Sequence, residues 1–458
     1  MAEGLVARSI KRVKSLLGEG EDETRHKLGD RDLGKLRAQL QECAAGLGGE
    51  VSTRQRAARL GETYLRLDDA GRHAFLRLIA LEFGPDPKRV AKAHAAYQAA
   101  IGTAAQWEAE ADLRASMRSA RLRILTQFNA LPQGVKFLVD LRADLLRFAA
   151  ADPELNPLDR ELESRLGAWF DVGFLELRRI TWHSPAHLLE KLIQYEAVHE
   201  IRSWADLKNR LDSDRRCYAF FHPRMPDEPL IFVEVALTNR LADNVQALLD
   251  ESAPVFDANK ADTAIFYSIS NTQTGLRGVS FGNFLLKRVI DDLLRDLPQL
   301  KHFATLSPIP GFRRWADKHP DDWAAAFRPD DLERLAKAAG GPASLEAARA
   351  LVGQGGWAAD KRQARALQGP LTRLAARYLA RGMAGNKPLD PVARFHLGNG
   401  ARIERLNFLG DTAPKGLQQS FGMMVNYLYN PDTIEENVEA LLRDGKIAAS
   451  ATVRQAAK

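Results

Sequence analysis

Apolar residues recur at three- and four-residue steps through the first third of the chain. Within residues 134–150 they line one face of an amphipathic helix, made of Val135, Leu138, Leu141, Leu145 and Phe148. Residues 74–79 show a similar pattern that ends at Gly84 and Pro85, and residues 100–128 are rich in strong helix formers. Since few glycines or β-branched residues interrupt these stretches, the pattern predicts an N-terminal all-α helical bundle.

After residue 172 the pattern changes to short, nearly continuous apolar runs. Runs of this kind, bounded by turn residues, are typical of strands buried on both faces of a sheet. Four come in succession and two more follow late in the chain, at residues 217–221, 230–237, 264–269, 302–306, 402–408 and 421–429. The stretch between residues 311 and 379 is predicted to be helical.

Together these patterns predict an α+β multidomain protein. We expect the helical bundle to span residues 1–172 and an α/β domain with a central mixed sheet to span residues 173–458. The chain length of 458 residues suits two or three domains. The residues after about Ala448 are small and polar, and we expect this tail to be frayed.

Composition and charge argue against several classes of protein. Lysine and arginine exceed aspartate and glutamate by 65 − 59 = 6 over the whole chain, with no dense basic stripe, which argues against a dedicated nucleic-acid binder. Cys43 and Cys217 lie far apart, which excludes a disulfide framework and a cysteine-based zinc site. No apolar run approaches the ~20 residues that span a bilayer, and residues 1–20 lack the apolar core of a secretory signal. A cytoplasmic location is predicted.

A glycine-rich loop is the first candidate for chemistry. Gly275, Gly278 and Gly282 lie between a predicted strand and a predicted helix, where backbone N–H groups and a helix dipole can hold a pyrophosphate. The spacing fits neither the P-loop nor the dinucleotide fingerprint, so neither an NTPase nor a Rossmann oxidoreductase is supported. A purely structural turn explains these glycines equally well.

Ser307 and His396 are the next candidates. Ser307 follows a predicted strand and opens a turn with two prolines and a glycine, Ser307–Phe312, which can hold its hydroxyl rigidly. His396 precedes Gly398 and Gly400. Read singly, a capping serine and a structural histidine are the simpler interpretations. Glu234, inside an apolar strand, indicates either an edge position or a buried ion pair.

Long segments of the chain resemble malonyl-CoA decarboxylases. The resemblance runs almost continuously from about Ile180 to Asn430, whereas the helical first third is similar only in kind to the family's amino-terminal helical domain. The segments that carry it are Thr181–Pro185, Glu196–His199, Ala264–Ser270, Thr305–Phe312 and Pro391–Ala401.

The resemblance implies a GNAT-like catalytic domain and a helical domain that takes part in assembly into a homo-oligomer, a tetramer or a dimer. It implies conversion of malonyl-CoA to acetyl-CoA and CO2 without metal, biotin or pyridoxal phosphate, so no cofactor is expected beyond the coenzyme A of the substrate. The family's catalytic serine and histidine fall on Ser307 and His396, and an important lysine falls on Lys191. The family's CoA-binding loop falls on Arg277, Gly278, Val279, Ser280, Phe281, Gly282 and Asn283. Some relatives carry a glutamate at the position of Ser280.

The implied reaction suits these side chains. Loss of CO2 from a malonyl thioester leaves an enolate, whose oxygen needs hydrogen-bond donors and whose carbon needs a proton. We hypothesise that Ser307 and His396 hold the carboxylate or the enolate, and that His396, with an ordinary pKa near ~6.5, delivers the proton. A GNAT-type CoA-dependent acyltransferase and a non-catalytic malonyl-CoA-binding protein remain alternatives, and no nucleic-acid or membrane partner is expected.

Overall fold

The structure, a computed structural model, describes residues 28–46, 50–279 and 284–458. The first part of the chain is helical, as its periodicity predicts. Its helices are α1 (Asp30–Ala45), α2 (Glu50–Arg66), α3 (Asp69–Glu82), α4 (Pro87–Ala100), α5 (Gln106–Ser116), α6 (Arg121–Asn129), α7 (Gly134–Ala149) and α8 (Asn156–Trp169).

Helix α7 shows why the periodicity works as a guide. Val135, Leu138, Leu141 and Leu145, all from the predicted face, are each almost completely buried. Burying one such side chain stabilises a fold by about 1.5–3 kcal/mol, so these four side chains together stabilise the packing of α7 against its neighbours. The same helix also buries Arg142, a residue that the apolar pattern does not mark.

An eight-stranded mixed sheet follows the helices, which confirms the predicted α+β class. Its strands are β1 (Glu176–Ile180), β2 (Arg215–His222), β3 (Met225–Thr238), β4 (Thr263–Asn271), β5 (His302–Thr305), β6 (Ser307–Pro308), β9 (Arg402–Asn407) and β10 (Met424–Tyr429), and a separate two-stranded ribbon consists of β7 (Met383–Ala384) and β8 (Lys387–Pro388). The strands of the sheet lie in the order β1-β2-β3-β4-β5-β10-β6, and β9 pairs with the other edge of β10. The pairing of β4 with β5 is parallel, whereas β3–β4, β5–β10 and β9–β10 are antiparallel.

Helices connect and cover these strands. The predicted helical stretch after residue 311 is present, and it breaks near Pro320 and at Gly340. In chain order the helices are α9 (Ala186–Tyr195), α10 (Trp204–Arg210), α11 (Val245–Leu248), α12 (Phe284–Asp296), α13 (Phe312–Lys318), α14 (Pro320–Ala326), α15 (Pro329–Ala339), α16 (Leu345–Gln354), α17 (Lys361–Arg381), α18 (Pro391–Gly398), α19 (Pro414–Ser420), α20 (Ile434–Asp444) and α21 (Ala451–Ala456).

The C-terminal tail differs from its prediction. Instead of fraying, the residues after Ala448 form α21, which begins at a serine cap where the Ser450 hydroxyl accepts a hydrogen bond from the Val453 N–H. Val453 and Ala457 are buried, and Ala449 bridges to Ile403 of the sheet. Small residues thus suit close packing here, which composition alone does not distinguish from disorder.

The chain divides into two compact units. The first takes the described residues up to Glu176 together with two later segments, Phe221–Leu230 and the described part of Gln273–Phe281. The second takes Leu177–Phe220, Ile231–Thr272 and the remaining C-terminal residues. The helical unit therefore includes two segments that a single division at residue 172 assigns to the sheet domain. None of the described helices is long and apolar enough to cross a membrane.

Candidate active site

Ser307 and His396 lie in hydrogen-bond contact within the second unit. The Ser307 Oγ atom is 3.2 Å from Nε2 of His396, although 89 positions separate the two residues in the chain. Ser307 is 5% exposed and His396 is 3% exposed. The structure therefore brings together the two residues that the sequence singles out separately, in a site with little access to bulk water.

An interruption in the sheet positions the serine. Strands β5 and β6 pair with β10 in one antiparallel register, but the ladder is broken between Thr305 and Ser307. At the break the Oγ1 atom of Thr305 accepts hydrogen bonds from the Tyr427 N–H at 3.1 Å and from the Ser307 hydroxyl at 2.8 Å. On the other edge of β10 the register with β9 shifts between Asn426 and Tyr427. Such irregularities commonly redirect side chains next to active sites.

Two tyrosines of β10 hold the imidazole of His396. The ring of Tyr427 stacks on it with centroids 4.6 Å apart and an interplanar angle of 24°, and the hydroxyl of Tyr429 lies 2.8 Å from Nδ1. Because residues two apart on a strand share a face, both rings reach the same side of β10. The histidine is thus fixed by a stacked ring and by hydrogen bonds to both nitrogens.

Burial determines the charge of this histidine. It lowers the pKa of His396 to about 3, since a charged imidazolium loses its hydration in an apolar site. At neutral pH His396 is therefore uncharged, with one nitrogen donating and the other accepting. With the Ser307 hydroxyl donating to Thr305, the consistent arrangement has Nε2–H donating to Ser307 Oγ and Nδ1 accepting from the Tyr429 hydroxyl.

The predicted CoA-binding loop is only partly described. Ser280, Phe281, Gly282 and Asn283 lie outside the described residues, and Arg277, Gly278 and Val279 belong to the first compact unit. The side chain of Arg277 is exposed, whereas Val279 is 8% exposed. The described residues of the loop and the Ser307–His396 pair therefore belong to different compact units.

The backbone geometry of the loop itself requires Gly275 and Gly278. A Cβ atom on Gly275 would lie 1.8 Å from the carbonyl oxygen of Val139 in α7, and Gly278 has a φ of +88°. The buried Arg142 of the same helix donates to the carbonyl oxygens of Gly275 at 2.9 Å and Arg277 at 2.8 Å. The turn interpretation thus holds for Gly275 and Gly278, and it leaves the exposed Arg277 side chain beside an anchored backbone.

Glu234 and Lys191 are the remaining candidates from the sequence. Strand β3 has neighbours on both sides, so the edge interpretation of Glu234 is wrong and the ion-pair interpretation is confirmed, with Arg210 Nη1 3.2 Å from its carboxylate. Burial raises the pKa of Glu234 to about 8, and the nearby Glu196 adds to the rise. Lys191 is half-buried on α9.

Sequence reasoning missed several residues of the site. These residues are Thr305, Tyr427 and Tyr429. Each lies inside an apolar run that predicts a strand, so taken singly each resembles a core residue. The spacing of the two tyrosines was the available signal, because it places both hydroxyl-bearing rings on one face of a strand. Among the described residues no group of three or more His, Cys, Asp or Glu is arranged to hold a metal ion.

Comparison with known proteins identifies the family. A family model for the malonyl-CoA decarboxylase C-terminal domain matches residues 173–458, which is more than half of the chain. The chain belongs to the malonyl-CoA decarboxylase family. A model for the N-terminal domain of the same family matches residues 83–170. The resemblance seen in the sequence is confirmed, and with it the class of enzyme, a carboxy-lyase.

Individual members of the malonyl-CoA decarboxylase family are similar to this chain in sequence and in structure. The mitochondrial malonyl-CoA decarboxylase of Anser anser anser is 39% identical over an alignment of 420 residues, with coverage of 87% of this chain and 82% of that protein. The Rattus norvegicus enzyme is 38% identical over an alignment of 397 residues, with coverage of 83% of this chain and 80% of that protein. The crystal structure of the Rhodopseudomonas palustris enzyme has a TM-score of 0.84 at 42% identity, covering 92% of this chain and 99% of that one. That of the Cupriavidus metallidurans enzyme has a TM-score of 0.72 at 44% identity, covering 93% and 100%.

Proposed function

We propose that this protein converts malonyl-CoA to acetyl-CoA and CO2, with Ser307 and His396 as its catalytic pair. Membership of the family supports the substrate and the reaction. The observation that carries the assignment of residues is the buried 3.2 Å contact between Ser307 Oγ and His396 Nε2. Two side chains singled out by separate motifs meet there, and each carries one donor hydrogen.

In the proposed reaction the bond between the α-carbon and the carboxylate carbon breaks. Its electron pair moves onto the thioester carbonyl, so that CO2 leaves and an enolate oxygen acquires negative charge. A preorganised donor at such an oxygen contributes about 3–4 kcal/mol to transition-state stabilisation in a water-excluded site. The Ser307 hydroxyl, turned from Thr305 toward the substrate, and the His396 Nε2–H are suited to this role.

The proton that completes acetyl-CoA requires a change to the hypothesis drawn from the sequence. With its pKa lowered to about 3, His396 holds almost no imidazolium at neutral pH. We therefore assign the final transfer to the Ser307 hydroxyl; the alkoxide that this leaves accepts a hydrogen bond from His396 Nε2–H and regains its proton from water. One proton per turnover comes ultimately from water, which balances the loss of the carboxylate as CO2.

The CoA moiety is assigned to the loop at residues 277–283. Arg277 is the exposed cation of its described part, and the anchoring of the Arg277 carbonyl by Arg142 at 2.8 Å supports a preformed position. Guanidinium groups suit phosphate recognition because their donors match the spacing of phosphate oxygens. Replacing Arg277 with alanine is expected to raise KM for malonyl-CoA with little change in kcat.

The test is turnover of malonyl-CoA by the full chain in the presence of EDTA and avidin, following acetyl-CoA and CO2. We expect both products in equal amounts. His396→Asn and Ser307→Ala are each expected to lose at least a hundredfold in kcat while retaining CoA binding, whereas His94→Asn, at an exposed position of α4, is the matched control. Absence of CO2 from the unchanged protein would overturn the proposal, and near-normal turnover by His396→Asn would overturn the residue assignment.

The same measurements separate the alternatives. Acetyl transfer to an amine or a carrier thiol without release of CO2 identifies a GNAT-type acyltransferase. Tight binding of malonyl-CoA without any product identifies a binding protein. The two intact catalytic side chains favour turnover over both.

Four further properties are proposed from the sequence and the family resemblance. We propose a boundary near residue 172 between an assembly domain and a GNAT-like catalytic domain, and a homotetramer or dimer formed through the helical domain, which light scattering of the purified protein can measure. We also propose a cytoplasmic location. We propose further that the reaction needs no metal or organic cofactor, and the test is full activity after dialysis against EDTA. Lys191 remains a candidate for the substrate site.

A further inference from the structure

One buried carboxylate joins the two halves of the proposed catalytic pair. Asp390 is 2% exposed and accepts four hydrogen bonds. Its Oδ1 atom accepts from the N–H groups of Val392 and Ala393, both at 3.0 Å. Its Oδ2 atom accepts from the Gly311 N–H and from the Tyr378 hydroxyl, both at 3.3 Å. The carboxylate therefore contacts the backbone of its own helix and that of Gly311, which lies 79 positions before Asp390 in the chain.

The two oxygens of the Asp390 carboxylate form the two arms of a link. The Oδ1 arm contacts the helix that carries His396, and the Oδ2 arm contacts the turn that begins at Ser307. Val392 and Ala393 begin helix α18, and His396 follows within its next turn. Gly311 ends the turn that starts at Ser307, and Pro308 and Pro310 restrict the backbone of that turn. Gly311 lies four residues from Ser307 and Ala393 lies three residues from His396, so we expect a shift of either segment to alter the Ser307–His396 contact.

We propose that Asp390 is a positioning residue that sets the distance between Ser307 and His396 by holding the serine turn and the histidine helix on one carboxylate. The proposal rests on the proposed function for its catalytic consequence. An ordinary helix cap needs only the Oδ1 contacts. The Oδ2 contact with Gly311 is what joins the two segments, so it can be tested apart from the cap.

Neighbouring side chains restrict the hydrogen bond between Asp390 Oδ2 and the Gly311 N–H. The ring of Tyr378 stacks on Phe312 with centroids 5.8 Å apart and an interplanar angle of 24°, so the tyrosine is itself fixed against the turn. A Cβ atom on Gly311 would lie 2.3 Å from the Tyr378 hydroxyl and 3.4 Å from Oδ2 of Asp390. The turn approaches the carboxylate closely because residue 311 has no side chain.

The first test separates the two arms. Asp390→Ser keeps a good N-cap oxygen but has no second oxygen for Gly311. We expect kcat to fall at least tenfold and KM for malonyl-CoA to change less than threefold, because a displacement of about 1 Å can cost a hundredfold in rate. Asp360→Ser is the matched control, since Asp360 caps α17 through the N–H groups of Arg362 and Gln363. A kcat for Asp390→Ser within twofold of the unchanged protein overturns the proposal.

The second test does not alter the carboxylate. Gly311→Ala places a methyl group against the Tyr378 hydroxyl and is expected to lower kcat at least tenfold. Tyr378→Phe removes that hydroxyl, so the double variant Gly311→Ala with Tyr378→Phe is expected to recover kcat to within threefold of Tyr378→Phe alone. Full activity of Gly311→Ala, or no recovery in the double variant, overturns the proposal.

A spectroscopic measurement distinguishes this proposal from the proposed function. In protein labelled with 15N-histidine, the ring nitrogens of His396 are assigned by their loss in His396→Asn. Asp390→Ser is expected to shift them and Asp360→Ser to leave them unchanged, whether or not malonyl-CoA is turned over. Unchanged His396 resonances in Asp390→Ser overturn the positioning role, whereas absence of CO2 from the unchanged protein bears only on the reaction.

Discussion

The neutral state of His396 gives a prediction that can be measured without substrate. In an unfolded chain a histidine titrates near ~6.5, whereas burial lowers the pKa of His396 to about 3 in the folded protein. Lowering the pH from 7.5 to 5 should therefore leave His396 uncharged while the unfolded chain takes up a proton. At pH 5 only about 1% of folded molecules should carry an imidazolium at this position.

The consequence for stability follows from linkage. Because the unfolded state binds a proton that the folded state does not, the contribution of His396 is complete above pH ~6.5 and is lost as the pH falls below that value. Each pH unit costs about 1.4 kcal/mol. The free energy of unfolding should thus fall by about 2 kcal/mol from this residue alone between pH 6.5 and pH 5, and the loss should continue toward pH 3.

The assay compares urea unfolding of the unchanged protein and His396→Asn at pH 7.5 and pH 5. Asparagine does not titrate, so the variant should lose about 2 kcal/mol less than the unchanged protein over this range. His199, whose pKa burial lowers to about 4, is present in both proteins and cancels in the difference. An NMR titration of the labelled imidazole gives the pKa directly. A midpoint for His396 between pH 5.5 and 7.5, or equal losses of stability in both proteins, would refute the reasoning.

Three further predictions concern the site and the cores of the two units. Tyr429→Phe removes the 2.8 Å hydrogen bond to His396 Nδ1 and should lower kcat about tenfold with KM nearly unchanged, because it frees the tautomer and orientation of the ring. Gly275→Ala places a Cβ atom 1.8 Å from Val139 O and should destabilise the protein by more than about 3 kcal/mol in urea unfolding. Glu234→Gln removes a stabilising contribution that falls as the pH rises from about 4.5 to about 8, because the folded state keeps a proton that the unfolded carboxyl releases; the free energy of unfolding of the unchanged protein minus that of the variant should therefore decrease over this range.

Each of these predictions has its own control. For Tyr429→Phe a kcat within twofold of normal contradicts the role of the hydrogen bond. Gly167→Ala is the match for Gly275→Ala, because Gly167 lies in α8 with no atom within 4 Å of an added Cβ; it should be neutral or stabilising, and an equal effect of both changes contradicts the steric argument. Identical pH dependence of Glu234→Gln and the unchanged protein contradicts the raised pKa.

Periodicity predicts much of the fold because burial imposes it locally. The apolar face of α7 and the continuous apolar runs of β3 and β4 record which residues face the interior, and a helix or a strand follows from the repeat. The same logic fails for the C-terminal tail, because small residues suit both disorder and close packing. Strand order is not readable in this way, since it depends on pairings between segments far apart in the chain.

The sequence by itself determined the two-part α+β class, the family, and Ser307 and His396 as separate candidates, because long ordered motifs and local hydrophobic repeats are properties of the chain. Only the tertiary structure decided that these two residues touch. It also showed that Tyr427 and Tyr429 fix the imidazole, that burial keeps His396 neutral, and that Asp390 joins the turn to the helix. These features depend on desolvation and on contacts across many positions, neither of which any local pattern of residues records.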